Sequence, residues 1–161
     1  MEDIRRFLSF LDRHLFKLRT VEVFMEANNK IDLKNVSSEC LAKEIVKILL
    51  EKKGIDVTLY DVRDSAAITD FYVNATARSS THVASLADDL DFMTSERGRN
   101  PERIEGRKGN SWILVDYTDV IVNIFDKATR EFYNLERLLP ADGKLDISEL
   151  EAEVDKKFDN K

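Results

Sequence analysis

The chain has 161 residues, of which 43% are hydrophobic and 35% are charged, and its net charge is −6. This composition predicts an ordered, soluble domain, and the negative charge argues against a protein that binds DNA or RNA chiefly through phosphates. The single cysteine, Cys40, excludes an intrachain disulfide, and no apolar run reaches the roughly 20 residues of a transmembrane helix. Charged residues interrupt the apolar N-terminal residues, unlike in a secretory signal. We therefore expect a cytoplasmic protein.

Residues 1–36 are predicted to form a helical extension. Apolar residues between Ile4 and Leu18 recur at three- and four-residue steps, which is the period of one helix face. The pair Asn28-Asn29 favours the end of a helix. Such a segment most often packs against its own domain. The sequence leaves open a dimerisation element or a basic arm that contacts rRNA or a membrane surface.

The central part of the chain, residues 37–140, predicts alternating helices and strands. A helix over residues 38–53 has serines at its start and Gly54 just past its end. A second long helix should follow the capping residues Ser79-Ser80-Thr81 and end near Gly98. Alternating and β-branched residues predict strands at 57–62, 71–76, 103–107, 112–116 and 120–125.

Short connections complete the predicted domain. Lys108-Gly109 and Thr118-Asp119 should form tight hairpin turns, and a short helix followed by an extended segment should occupy residues 128–139. Hairpins combined with a helical crossover indicate an α+β fold with a mixed sheet flanked by helices. Residues 141–161 form an acidic tail. Its apolar residues at helical spacing predict either a weak amphipathic helix or disorder.

The motifs of common enzymes and metal sites are missing from the sequence. It contains neither a glycine-rich phosphate loop nor a CxxC pair. Cys40 adjoins the apolar face of a predicted helix, which favours a small buried residue over a nucleophile. His14 and His82 lack the spacing of metal ligands, and His82 follows a helix cap. We therefore predict no catalytic residue, no metal and no cofactor.

Asp116 and Asp119 are the remaining candidates for enzyme chemistry. Two carboxylates can hold Mg²⁺ or share proton transfer. Their spacing also fits a hairpin turn, because Asp accepts hydrogen bonds from nearby backbone, and we favour the turn. Trp112, Tyr117 and Tyr133 either pack in the core or anchor a protein partner, since aromatic residues dominate interface energetics.

Four short segments form a set that is more specific than any one of them. They are Thr-Asp-Phe-Tyr-Val at 69–73, Ala-Arg-Ser-Ser-Thr-His-Val at 77–83, Glu-Gly at 105–106 with Trp-Ile-Leu-Val-Asp-Tyr at 112–117, and Thr-Arg-Glu-Phe-Tyr-Asn-Leu-Glu-Arg-Leu at 129–138. In this order, the set resembles the iojap-like family of ribosomal silencing factors. The resemblance lies between residues 36 and 140.

The resemblance implies a fold similar to nucleotidyltransferases, although the chain lacks the Gly-Ser loop and the strand-borne Asp-x-Asp pair of those enzymes. It implies a non-enzymatic factor that binds ribosomal protein fourteen of the large subunit. Binding there would sterically block the small subunit from joining and so repress translation. It also implies a homodimer off the ribosome, and neither DNA nor a membrane as partner.

The resemblance also predicts a contact surface for the partner. Arg130 lies in the last of the four motifs, but it could serve an internal ion pair instead of a partner contact. The residues expected to contact the partner are Asp70, Glu105, Trp112, Asp116, Tyr117, Glu131 and Tyr133.

Two other functions remain open on the sequence. The protein could assist assembly of the large subunit, in which case a deletion strain would accumulate precursor particles. It could also be a divergent metal-dependent nucleotidyltransferase that uses Asp116 and Asp119. That enzyme would be stabilised against heat by nucleotide and Mg²⁺.

Overall fold

The computed structural model describes residues 30–65 and 68–160. The predicted N-terminal helix over residues 1–36 therefore lies mostly outside the described residues. The helices of the described part are α1 (Ser38–Glu51), α2 (Ser80–Ser95), α3 (Lys127–Tyr133) and α4 (Ser148–Asp159). The strands are β1 (Ile55–Asp61), β2 (Phe71–Ala77), β3 (Arg103–Glu105), β4 (Trp112–Asp116), β5 (Val120–Asp126) and β6 (Lys144–Leu145).

The described residues form a mixed sheet with the strand order β3-β4-β5-β2-β1-β6. Its two central strands, β2 and β5, run parallel, with Val73 opposite Val122. Every other pair is antiparallel. A parallel pair requires a crossover, which α2 and the β3–β4 hairpin provide between β2 and β5. The predicted α+β fold with a mixed sheet is confirmed.

Helices α1 and α2 cover one face of the sheet and create the core. Helix α1 begins where the Ser37 side chain accepts a hydrogen bond from the Cys40 backbone N–H, and α2 begins in the same way at Ser79. The apolar residues that predicted the inner face of α1 are buried. They pack on alternate residues of the strands, such as Val73, Val122 and Ile124.

The C-terminal residues, which the sequence set apart as an acidic tail, continue this architecture. Strand β6 pairs with the edge of β1, and α4 packs on α1, so the helical alternative for the tail is confirmed. Lys47 on α1 forms an ion pair with Glu153 on α4, with 2.7 Å between nitrogen and oxygen. The ammonium group of Lys53 lies 3.8 Å from the centre of the Phe158 ring.

One local prediction is corrected by the structure. The two-residue turn at Lys108-Gly109 is wrong, because β3 ends at Glu105 and a longer loop over residues 106–111 precedes β4. Gly106 starts this loop with a φ of +93°, and a Cβ there would overlap the Trp112 carbonyl oxygen.

The prediction of a short helix followed by an extended segment over residues 128–139 agrees with the structure. Helix α3 ends at Tyr133, because Asn134 has a left-handed φ of 44°. A 3₁₀ turn at Leu135–Leu138 follows, and Leu139 and Pro140 are extended. We call residues 135–140 the strap.

Candidate functional site

The sheet face opposite α1 and α2, which we call the open face, carries several of the predicted site residues. Side chains of adjacent strands meet there in register, since alternate residues of a strand point to one side. Asp116 lies opposite Ile121, and Leu114 lies opposite Asn123. On the neighbouring strand β2, Tyr72 lies opposite Ile121 and Asn74 lies opposite Asn123. The central side chains of the open face are Tyr72, Asn74, Trp112, Leu114, Ile121 and Asn123.

An aromatic cluster occupies one end of the open face. The ring of Trp112 lies 5.1 Å from that of Phe125 on β5 and 5.1 Å from that of Tyr133 at the end of α3. Phe132 meets Tyr133 edge to face at 5.0 Å. Tyr133 is 53% exposed and Phe132 is 81% exposed. Trp112 and Tyr133, predicted separately as partner anchors, therefore form one cluster that is still accessible.

A row of hydrogen bonds runs from this cluster into the sheet. The indole Nε1–H of Trp112 donates to Oδ1 of Asn123 at 3.0 Å, and Nδ2 of Asn123 donates to Oδ1 of Asn74 at 3.0 Å. Both asparagines are buried, and the Nδ2 group of Asn74 has no hydrogen-bond partner. An indole can only donate, so it fixes the orientation of both amides. The row therefore ends in a free donor.

A cleft of about 680 Å³ lies between the open face and the strap, and Asn74 is among the residues that line it. Apolar side chains predominate. Leu114 and Ile121 contribute from the sheet, and Leu135 contributes from the strap. At its rim, Ile68 is 85% exposed and Leu138 is 80% exposed. A cavity of this size with few polar groups is typical of a binding site.

Acidic residues border the open face, but some are already paired. The guanidinium group of Arg103 lies 3.2 Å from the Glu105 carboxylate and 3.1 Å from that of Asp116. Glu131 on α3 is exposed, and its carboxylate is 3.9 Å from the ammonium of Lys127. Asp70 is half-buried just before β2. These four carboxylates, all predicted as partner contacts, thus come from β3, β4, α3 and the start of β2.

Tyr117 lies in a different environment from the other predicted residues. It is 1% exposed, packed in the core, and its hydroxyl oxygen is 2.9 Å from Oγ1 of Thr94 on α2. Burial raises the pKa of Tyr117. Its ring offers no surface to a partner, and so the structure assigns it a packing role.

Arg130 holds the strap to the sheet. Its Nε–H and Nη2–H groups donate to the Glu136 carboxylate on the strap, at 3.0 and 2.6 Å. Its Nη1–H groups donate to the Asp56 carbonyl oxygen and the Thr76 hydroxyl oxygen. The internal ion pair considered for Arg130 is confirmed. A second cavity of about 750 Å³ lies beside it, and Arg130 and Glu136, which line this cavity, are paired with each other.

The carboxylates considered for metal chemistry are engaged by the turn and by arginines. Oδ1 of Asp116 accepts from the Thr118 backbone N–H at 2.7 Å, and Asp119 pairs with Arg99. This agrees with the turn interpretation. Over residues 30–65 and 68–160, His, Cys, Asp and Glu do not form a group of three or more that could hold a metal ion. In the same residues, no helix is long and apolar enough to cross a bilayer.

Other residues considered for chemistry also have structural environments. Cys40 is half-buried on α1. His82 accepts a hydrogen bond from the Arg78 backbone N–H at its Nδ1 atom, and its Nε2 atom lies 3.0 Å from the Lys52 carbonyl oxygen. His82 thus has the role beside the cap that its position predicts, and it also joins the start of α2 to the end of α1, which the sequence did not predict.

Sequence reasoning missed the cleft, the strap and the two asparagines. A signal for the asparagines existed, because each interrupts an otherwise apolar strand, in Val-Asn-Ala and Val-Asn-Ile. Asparagine is depleted in strands, and a buried amide requires partners. Such a residue at the centre of two neighbouring strands predicts either an internal pair or a ligand contact.

Known proteins share both this sequence pattern and this fold. The sequence model of the family described as "Ribosomal silencing factor during starvation" matches residues 35–161. A ribosomal silencing factor of Haemophilus influenzae is 36% identical over 98 residues, covering 58% of this chain and 96% of the relative. One from Halalkalibacterium halodurans is 31% identical over 103 residues, covering 64% and 88%.

Plant and structural relatives extend the likeness. An Iojap-related mitochondrial protein of Arabidopsis thaliana is 27% identical over 142 residues, covering 83% of this chain and 77% of the relative. A crystal structure from Chromobacterium violaceum aligns with a TM-score of 0.62 at 27% identity, covering 65% of this chain and 87% of that one. A crystal structure from Bacillus halodurans gives 0.58 at 29% identity, covering 68% and 99%.

Proposed function

Because the chain belongs to the family of ribosomal silencing factors, which repress translation at the ribosome, we propose that it binds the large ribosomal subunit through ribosomal protein fourteen. Bound there, it sterically blocks the small subunit from joining. The observation that carries this proposal is the open face, where the aromatic cluster and the cleft rim form an accessible apolar surface beside carboxylates. Large exposed apolar patches of this kind mark protein interfaces.

A steric block requires a firm interface and no chemical step. Trp112 and Tyr133 suit the centre of such an interface, because large aromatic side chains bury much area at a low entropic cost. Trp112 is already held by its hydrogen bond to Asn123 and by its packing on Phe125. Little side-chain freedom is therefore lost when a partner covers it.

The charge of the chain favours a basic protein as the partner. Its net charge of −6 repels rRNA phosphates and attracts a basic ribosomal protein. Asp70, Glu105, Asp116 and Glu131 are the proposed acidic contacts. Arg103 shields Glu105 and Asp116 in the free protein. In the complex, a cationic side chain of the partner would pair with these two carboxylates beside Arg103 or in its place.

The role of Tyr117 in the proposed interface is changed. The ring of Tyr117 is buried in the core directly after β4, next to Asp116, and its hydroxyl is hydrogen-bonded to Thr94. Tyr117 therefore contributes to the shape of the open face without a direct contact.

A subunit-association assay tests the proposal. Purified large and small subunits are mixed with increasing amounts of the protein and separated on a sucrose gradient. We expect joined ribosomes to decrease and the protein to sediment with the large subunit. If the protein binds neither subunit and association is unchanged, the proposed function is wrong.

A matched pair of variants tests the surface. Trp112→Ala should weaken large-subunit binding by on the order of thirtyfold or more, the scale of an interface hot spot. Phe92→Ala is the control, because Phe92 is 62% exposed on α2, in the layer that covers the other sheet face. If both variants fold and both bind the large subunit as tightly as the unmodified chain, the open face is removed from the proposal.

A further inference from the structure

The buried amide of Asn74 is the feature of the open face that packing does not explain. It lies on β2 with no exposed surface, and its Nδ2 group has no partner. A buried donor without an acceptor carries a desolvation cost that no hydrogen bond offsets. The side chain nevertheless lies in the cleft rather than in the helix-covered core. An acceptor that enters the cleft would remove this cost.

The chemistry of the missing acceptor is restricted by its surroundings. The direction of the row is fixed at Trp112, so Asn74 offers a donor and cannot offer its oxygen, which already accepts from Asn123. Arg103 lines the cleft, but it is already paired with both Asp116 and Glu105, so an anionic acceptor would find no free cation there and is disfavoured. A neutral carbonyl oxygen fits both conditions.

We propose that the cleft under the strap receives a loop of a basic protein partner, and that a carbonyl oxygen of this loop accepts a hydrogen bond from Nδ2 of Asn74. The inference rests on the proposed function, because it makes the cleft part of the surface that binds the large subunit. A protein loop is favoured over a small molecule since the apolar surface continues outside the cleft. Ile68 and Leu138 are almost fully exposed at the rim, and Phe132 is similarly exposed in the adjoining cluster.

The hydrogen bonds of the row give Asn74 a specific role at this surface. Trp112 is an anchor that a partner covers, and the same residue fixes Asn123 and through it Asn74. A partner that covers the indole therefore meets a donor held at a set position two strands away, on β2. A preorganised donor adds specificity, since a partner without an acceptor at that point leaves a buried amide unpaired.

Two substitutions at Asn74 and one control test the inference in the full chain. Asn74→Asp keeps an oxygen that accepts from Asn123 and replaces the free donor with a second oxygen. Asn74→Leu replaces the amide with an apolar group of similar size. Thr69→Val is the control, because Thr69 Oγ1 is also buried without a partner but is not among the groups that line the cleft.

The measurement is the affinity of each labelled variant for purified large subunits, with thermal unfolding as a check of the fold. We expect both Asn74 variants to bind on the order of tenfold more weakly than the unmodified chain. Thr69→Val should bind within about twofold, the scale of a change that does not touch the interface.

The outcomes separate this inference from the proposed function. If the unmodified chain binds and folded Asn74 variants bind equally well, the inference is wrong and the function stands. If the unmodified chain does not bind, both fail. If the Asn74 variants change self-association in sedimentation velocity and not subunit binding, a second copy occupies the cleft and the inference is wrong.

Discussion

The two faces of the sheet are built from neighbouring residues of the same strands, yet they differ in what they bury. Ile113 and Val115 point into the core under α1 and α2, whereas Trp112 and Leu114 point to the open face and are half-buried. The core face is apolar and close to fully covered. The open face carries amides, paired charges and aromatic rings under a narrow strap. One face supplies stability, and we propose that the other supplies a surface for binding.

The largest expected difference between the faces is in how much stability is lost when a leucine is replaced by alanine. Leu86 on α2 is 1% exposed, so Leu86→Ala should lower the free energy of unfolding by about 2–5 kcal/mol. Leu138 on the strap is 80% exposed, so Leu138→Ala should change it by less than about 0.5 kcal/mol. Urea denaturation measures both values. Similar losses for the two variants would contradict the division between the faces.

Hydrogen bonds and an ion pair, rather than apolar burial, should hold the strap on the sheet. The variant Arg130→Met tests this. This change removes the ion pair to Glu136 and the hydrogen bonds to Asp56 and Thr76, and should cost about 2–3 kcal/mol. Lys127→Met is the control, since the Lys127 side chain is 83% exposed and only weakly paired. Denaturant titrations of both variants measure the free energy of unfolding. If Arg130→Met leaves it unchanged, apolar contacts alone are sufficient to hold the strap.

The core face was largely predictable from sequence, because it depends on periodicity. Helices α1 and α2 and strands β2, β4 and β5 follow from three-to-four-residue and two-residue spacing, which local sequence carries. Strand alternation also separates Tyr117 from Trp112. Counting by twos from Trp112 reaches Leu114 and Asp116, while Tyr117 falls on the side of Ile113 and Val115. The expectation that Tyr117 anchors a partner did not use this period.

The open face was less predictable, because its cleft depends on contacts between distant residues. The chain turns from α3 into the strap at Asn134, whose left-handed φ ends the helix. Arg130 then joins Glu136 of the strap to β1 and β2. Strand β6 then joins β1, more than eighty positions earlier in the sequence. No local pattern specifies such pairings. The motif residues of the family directed the predicted contacts to this face, and the cleft is visible only in the structure.

Tyr117→Phe tests whether Tyr117 belongs to the core rather than to the interface. The change removes the hydrogen bond to Thr94 and should lower the free energy of unfolding by about 0.5–1.5 kcal/mol. Because the ring itself stays in place, large-subunit binding should remain unchanged. The two measurements are denaturant unfolding and subunit co-sedimentation. A folded Tyr117→Phe protein that no longer binds would return this residue to the contact surface.

The smallest expected effect concerns the layer of helices and its pH dependence. Burial raises the pKa of Glu44, but hydrogen bonds from Arg97 and Lys47 outweigh it, so the pKa lies below its ordinary value of 4.5. A lowered carboxyl pKa adds stability above 4.5, and this contribution is lost as the pH falls through the lowered value. Glu44→Gln should therefore cost about 0.5–1 kcal/mol at pH 7, a difference from the unmodified chain that disappears in acid.

The exposed ion pair of Glu39 with Lys43 provides the control for this prediction. Its partners are open to solvent, so Glu39→Gln should change stability much less than Glu44→Gln over the same pH range. Urea unfolding at intervals between pH 7 and about pH 3 measures both curves. If the Glu44→Gln deficit persists undiminished at the acid end, the ion pair is not its source. The link between α1 and α2 would then rest on the apolar core that already distinguishes this side of the sheet from the open face.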